Sequence, residues 1–362
     1  MKKICFAFNH LQYSDGIARS AIGISNYLVQ NYNVDITLRP IYLFRKEVTS
    51  IIDDRIHVSP VFGLYFRGMT KIVSRLPKTV LHNLIYGNIQ YDLEVGFQHG
   101  TSTMAVTYGS RNSKTRHLIW MHGYDVGLTM LPYFKKADAV VCVSKFNADR
   151  LYKETNGAVI PEYSYNLIDE KKVIKDGEEE IDIDVGKKPI FISVGRHSEE
   201  KGYKRLIQCV DRLKSDGYEF ELWLVGDGPE HLELVKLSEN SKLGDYVRFI
   251  GAQSNPHKYT SKSDLFICSS FSEGYSTACT EAIMLGIPVI STRVSGAEEI
   301  INEAEAGMVV ENTDEALYKG LKAVLEDKEI ITSWKKTILT TKSRFSQKHR
   351  AEKLVRILGL NS

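Results

Sequence analysis

At 362 residues the chain is too long for one ordinary hydrophobic core and predicts two domains. Hydrophobic residues at 43% and charged ones at 25% exclude a disordered or collagen-like chain. The net charge of +2 conceals an asymmetry, since residues 1–169 carry 19 Lys and Arg against 13 Asp and Glu and the remainder 28 against 32, which suits the first half to an anionic surface.

Short apolar runs alternate with amphipathic stretches, the pattern of an α/β chain with parallel sheets. In the first half, strands are predicted over 2–8, 34–43, 91–97, 116–122 and 137–144. The start MKKICFAFNH loses its apolar run at Asn9, and no run reaches the ~18 residues of a membrane-spanning helix, so a cytoplasmic chain is expected. Between the second and third strands, Arg67, Lys71, Arg75 and Lys78 interleave with Phe66, Met69, Ile72, Val73 and Leu76. This predicts a basic amphipathic helix over 64–78, either a solvated surface face or one suited to peripheral contact with the inner face of a membrane, where each cation contributes ~1 kcal/mol. Charged residues poor in apolar bulk predict a linker over 169–187, between domains at 1–168 and 188–344. Second-half strands are predicted over 188–195, 220–227, 246–251, 264–270, 286–292 and 307–311, and a closing helix over 345–360 with Ala351, Leu354, Val355 and Ile357 as its stripe. The five cysteines, Cys5, Cys142, Cys209, Cys268 and Cys279, sit apart in apolar segments and predict reduced core residues rather than a zinc or disulfide framework.

Two segments carry chemistry. GRHSEEKG, Gly195 to Gly202, is a strand-to-helix turn that places Arg196 and Lys201 at the carboxyl end of a strand, where an open sheet binds ligands; two cations there suggest a diphosphate. In FSEGYSTACTEAIMLGIPVIST, Glu273 and Glu281 are eight positions apart, so one helix would hold them 80° apart. Glu273 is therefore expected on the loop, and a helix starting near Ser276 or Thr277 would aim its free N–H groups and positive dipole end at the same crevice. Three other patterns are set aside. Asp182 and Asp184 spell a metal-binding D-x-D but lie in an acidic linker, so no metal is expected. GDGPEH at 226–231 lacks the third glycine of a dinucleotide fingerprint. Ser295 and Glu298 have capping-box spacing, while Glu299 is left as a cleft-facing candidate.

GRxxxxKG followed some 70 residues later by ExxxxxxxE resembles the retaining glycosyltransferases of family 4, over almost the whole chain and most strongly from 190 to 311. The resemblance implies the GT-B fold, two Rossmann-like doubly wound domains facing across a cleft, with the tail 345–362 packing back on the first. It implies that Gly195, Arg196 and Lys201 hold a donor diphosphate, with Gly226 at the next strand end. Glu273, within Glu273-Gly274-Tyr275-Ser276-Thr277, would meet hydroxyls of the transferred sugar, Glu281 the ribose, and the backbone of Ile250 and Gly251 would border the nucleobase. In the first half, Gly16 of SDGIARS matches the family's Gly-Gly turn near the donor phosphates, although Asp15 replaces the first glycine. His122 matches a histidine that reaches the sugar, and Gly100 and Thr101 are acceptor-side candidates. The implied activity is metal-independent transfer of a hexose with retention, from a nucleotide sugar with UDP as the expected carrier, to a glycan or lipid-linked acceptor of a bacterial surface polysaccharide. Arg196, Lys201, Glu273 and His122 carry it, with neither cofactor nor nucleic acid. A nucleotide-sugar epimerase or hydrolase of the same fold, and a non-catalytic glycosyltransferase-like subunit, remain as alternatives.

Overall fold

A computed structural model of the chain describes residues 1–12, 15–109, 114–123, 128–327 and 329–360, without the side chain of Leu128. The chain divides into two compact units, Met1–Leu167 with Arg350–Ser362, and Ile168–His349. Among the described residues no helix is long and apolar enough to cross a membrane.

The first unit is built on a parallel sheet of seven strands: β1 (Lys2–Leu11), β2 (Val34–Phe44), β3 (His57–Val58), β4 (Leu93–Gly96), β5 (Arg116–Met121), β6 (Ala139–Cys142) and β7 (Glu162–Tyr163), in the order β3-β2-β1-β4-β5-β6-β7. Its helices are α1 (Gly16–Asn31), α2 (Met69–Val73), α3 (Lys78–Tyr86), α4 (Thr101–Tyr108), α5 (Leu131–Phe134) and α6 (Lys145–Glu154). Ile4 to Phe8 of β1 are fully buried, as a central strand covered on both faces requires, which is why it reads as a continuous apolar run.

The second unit carries six parallel strands: β8 (Ile190–Val194), β9 (Glu221–Val225), β10 (Val247–Gly251), β11 (Leu265–Cys268), β12 (Val289–Thr292) and β13 (Gly307–Val310), in the order β10-β9-β8-β11-β12-β13. Its helices are α7 (Glu170–Gly177), α8 (Tyr203–Ser215), α9 (His231–Asn240), α10 (His257–Thr260), α11 (Thr277–Met284), α12 (Ala297–Ala304), α13 (Asp314–Glu326) and α14 (Ile330–Thr341); α15 (Gln347–Ile357) follows. Leu206, Ile207, Val210 and Leu213 make the buried stripe of α8 and pack in one core with Leu222 and Leu224 of β9. In each sheet the chain runs outward in one direction and then in the other, so the order reverses between β1 and β4 and between β8 and β11. Crevices for ligands open at the carboxyl ends of the strands at such points.

All eleven predicted strands are present, and two more, β3 and β7, are two-residue edges too short to show alternation. The basic helix expected over 64–78 is a correction: the stretch holds only the short helix Met69–Val73 and, at its end, the first residue of α3, because Gly68 sits in the left-handed region at φ 92° and Pro77 is the N-cap of α3. Leu64, Tyr65, Phe66 and Ile72 are nonetheless exposed beside Arg67, Lys71 and Arg75, whereas Lys78 turns inward and donates to the Ser74 carbonyl at 3.1 Å. The stretch read as linker contains α7, capped by Asp169 and held in the second unit, where Asn255 donates to the Asp176 carbonyl at 2.8 Å and Ser261 to that of Gly177 at 2.6 Å. The C-terminal tail packs on the first unit: Lys2 donates to the Gly359 carbonyl at 2.9 Å, and the Arg350 guanidinium lies 4.9 Å from the Tyr165 ring centre. All five cysteines are free and buried.

Candidate functional site

The carboxyl edge of the second sheet is a ledge of backbone. Gly251 ends β10, Gly226 follows β9 and Gly195 follows β8, joined by bonds from the Gly226 N–H to the Gly251 carbonyl at 2.8 Å and from the Gly195 N–H to the Val225 carbonyl at 3.0 Å. At Gly226 a Cβ would lie 1.9 Å from the Gly195 carbonyl oxygen, and φ is +140°, so only glycine fits. The Ile250 carbonyl accepts from Gln253 at 3.1 Å. Side chains are thus kept off the surface beside which Arg196 stands. Arg196 is exposed, and among the described residues its guanidinium makes no hydrogen bond or ion pair.

Lys201 lies at the far end of the same turn and meets the loop after β11. Its ammonium is 2.7 Å from Glu273 Oε1, and Ser270 Oγ donates to that same oxygen at 2.6 Å. Burial pulls the Lys201 ammonium down, but the Glu273 carboxylate more than offsets it, leaving lysine above its ordinary pKa and therefore charged. Turn and loop are locked together. The Phe271 N–H donates to the Glu200 carbonyl at 2.7 Å and Ser269 Oγ to that of Lys201 at 2.9 Å. A Cβ on Gly202 would lie 2.2 Å from the Ser269 carbonyl oxygen. Beneath the loop, buried Arg205 donates to the carbonyls of Ser269 at 2.7 Å and Ser270 at 2.6 Å and to Asn312 at 2.8 Å.

Helix α11 begins at Thr277, with Ser276 accepting from the Cys279 N–H at 3.3 Å. Glu273 lies on the preceding loop and Glu281 inside the helix. Ser295 donates to the Gly274 carbonyl at 2.8 Å, and a Cβ on Gly296 would lie 2.7 Å from the buried Tyr275 ring. The capping-box reading of Ser295 is therefore corrected: Gly296 is the cap residue of α12, no side chain caps it, and Ser295 anchors the loop instead. Glu298 pairs with Arg293. Glu281 is buried, with its carboxylate 3.4 Å from His257 Nε2, whose Nδ1 is 3.4 Å from Asp176. The second unit thus gathers Gly195, Arg196, Lys201, Gly226, Ile250, Gly251, Glu273 and Thr277 at the carboxyl edge of its strands, while Glu281 faces the His257–Asp176 pair. Asp182 accepts from the Tyr259 hydroxyl at 2.7 Å, and the Asp184 carbonyl accepts from Arg248, near the amino end of β10.

In the first unit Gly16 opens α1, and among the described residues, its chain neighbours and own helix backbone aside, no atom lies within 4 Å of the position a Cβ would take. Asp15 is the cap of that helix, its carboxylate accepting from the N–H groups of Ile17 at 2.9 Å and Ala18 at 3.4 Å. The acid thus occupies donors that an incoming anion would need. Ser14 of this motif lies outside the described residues. His122 follows β5, edge-on to Phe97 at 4.6 Å, with its Nε2 buried and unpartnered among the described residues. Burial holds its pKa down to about 3, so the ring is neutral at physiological pH. Thr101 Oγ1 is 2.6 Å from the Tyr42 hydroxyl, and Gly100 precedes α4 at φ 96°.

The site residues missed by the sequence reading are Ser270 and Arg205, neither of which belongs to a spaced motif, while Ser295 was read only as a helix cap. Residues 177–339 match the family described as Glycosyl transferases group 1. The N-acetylgalactosamine-N,N'-diacetylbacillosaminyl-diphospho-undecaprenol 4-alpha-N-acetylgalactosaminyltransferase of Campylobacter jejuni is 31% identical over 219 residues, 59% of this chain and 58% of that protein. The lipopolysaccharide core biosynthesis glycosyltransferase LpsE of Rhizobium meliloti is 30% identical over 205 residues, 56% of this chain and 58% of its own length. The chain spans a little over half the length of these curated relatives. The crystal structure of Anabaena Alr3699/HepE in complex with UDP and glucose is similar at a TM-score of 0.74 and 17% identity, covering 99% of this chain and 100% of that one. At that identity the likeness is one of fold, and the fold is GT-B.

Proposed function

We propose, on the premise that residues 177–339 are a Glycosyl transferases group 1 domain, that the chain transfers a hexose with retention of configuration from a nucleotide sugar, UDP being the favoured carrier, to a glycan or lipid-linked acceptor of a bacterial surface polysaccharide. One observation carries this reading. A ledge of three glycines stands beside an exposed arginine, unpaired among the described residues, and a Lys201–Glu273 pair, at the strand ends where an open sheet takes its ligand.

In this reading Arg196, Lys201 and the start of α11 meet the charge that grows on the departing diphosphate, which lowers the barrier most through Lys201 and the helix start, since these two are held in place beforehand. Glu273, fixed through one oxygen, orients the sugar. Neutral His122 offers a nitrogen with no partner among the described residues, suited to a sugar hydroxyl. The departing phosphate oxygen helps deprotonate the incoming hydroxyl, and no carboxylate nucleophile is assigned. The exposed Leu64, Tyr65, Phe66 and Ile72 beside Arg67, Lys71 and Arg75 suit contact with the cytoplasmic face of an anionic membrane, where a lipid-linked acceptor would be found.

The test is thermal unfolding with UDP and UDP-sugars. Saturation at about 100 times the dissociation constant raises stability by about 2.7 kcal/mol. UDP is expected to stabilise the native chain equally with and without added Mg2+, and Arg196→Ala to abolish the shift. A UDP shift that survives Arg196→Ala, or that requires Mg2+, overturns the reading. Rapid release of free epimerised sugar from donor alone would assign the epimerase instead.

A further inference from the structure

The turns that follow β8 and β9 bring together three metal-ligand side chains that the reading above does not use. The His197 N–H donates to the Asp227 carbonyl at 2.9 Å, and the His197 carbonyl accepts from the Glu230 N–H at 3.0 Å. A Cβ on Gly228 would lie 2.4 Å from that carbonyl oxygen, so the two turns are closely packed. On this base the imidazoles of His197 and His231 meet edge to edge, with ring centres 5.1 Å apart and planes 15° apart, and their Nδ1 atoms share a hydrogen bond at 3.0 Å. Asp227 Oδ1 lies 4.0 Å from His231 Nδ1, and the three donor atoms all fall within 4.8 Å of one another. The Gly228 N–H orients the carboxylate, donating to it at 2.7 Å.

We propose that His197, Asp227 and His231 form a binding site for a first-row transition ion of the Zn2+ class. Two imidazole nitrogens and one carboxylate oxygen are a donor set that such ions take, leaving a further coordination position for water. Two nitrogens each ~2.0–2.1 Å from a common ion stand ~3 Å apart, which the histidine pair already meets. The carboxylate adds the negative charge that a dication requires and a neutral imidazole pair does not. Phe249 walls the site, edge-on to both rings at 6.3 and 5.6 Å, while exposed Asp227 leaves one side open to solvent. Histidine at 197 adjoins Arg196, so a bound ion would hold the turn that presents the arginine. The site stands on geometry alone and does not depend on sugar transfer.

The full chain, untagged and stripped of metal, is titrated with Zn2+ by calorimetry, and the Co2+ adduct is read by visible absorption. One site is expected, with ligand-field bands but no thiolate-to-metal charge transfer. His231→Ala is expected to weaken it on the order of 100-fold and Asp227→Ala on the order of tenfold. His231 is partly exposed and its variant should fold; equal circular dichroism with and without EDTA checks this. Unchanged Zn2+ affinity in His231→Ala, or a thiolate band in the Co2+ adduct, overturns the proposal. Loss of UDP binding in Arg196→Ala with Zn2+ binding intact would separate this site from the donor reading.

Discussion

Both units start a helix near the carboxyl edge of their sheet, and they treat that place in opposite ways. In the first, Asp15 turns its carboxylate onto the opening N–H groups of α1. In the second, the turn after β8 contains no such capping side chain before α8, and an arginine beside bare glycine backbone stays unpaired among the described residues. The same element, a strand running into a helix, becomes an anion site or a closed structural joint according to whether the chain supplies its own anion.

The contrast can be broken from either side. The largest effect is expected from Arg196→Ala, a loss on the order of 100- to 1000-fold in kcat/KM with donor affinity falling in parallel; unaltered steady-state kinetics would remove the arginine from the site. Gly226→Ala should cost about 2–4 kcal/mol, because the new Cβ meets the Gly195 carbonyl and the backbone angle disfavours it; denaturant unfolding measures this, and a loss under 1 kcal/mol would mean that the ledge yields. Ser270→Ala frees one bond to Glu273 and should lower kcat/KM about five- to tenfold while UDP affinity holds. Asp15→Ala removes the cap at a cost of about 1 kcal/mol in melting experiments; if it also tightens UDP binding, the closed joint is a masked phosphate site. Last comes a slope. Because His122 titrates lower in the folded chain than unfolded, the unfolded state binds the extra proton, and stability should decline as pH drops from the ordinary histidine value toward about 3. His122→Asn should flatten that decline, and an unchanged slope would show that the ring is solvated.

What could be read from the sequence follows from distance along the chain. The β8 turn, the Glu273 loop and the start of α11 are each written in consecutive residues, and the structure places them as the local pattern implies. Asp15 was also legible in principle, being an N-cap residue type directly before a helix. Ser270 and Arg205 were not, because a buried arginine inside α8 and a serine on the loop after β11 meet only when the sheet assembles. His197 and His231 are 34 residues apart and become neighbours through two turns packing together. The failure over 64–78 has another cause: charge spacing suggested one helix, while Gly68 and Pro77 set its limits.

The shared oxygen of Glu273 bears on discrimination. A visitor carrying phosphate alone would draw Lys201 aside and leave a largely buried carboxylate short of its counterion, a costly exchange. One that arrives with hydroxyls beside its phosphates supplies both halves with new company at once. On the proposed reading the pair would act as a filter, favouring sugar nucleotides over pyrophosphate and other bare polyanions of equal charge.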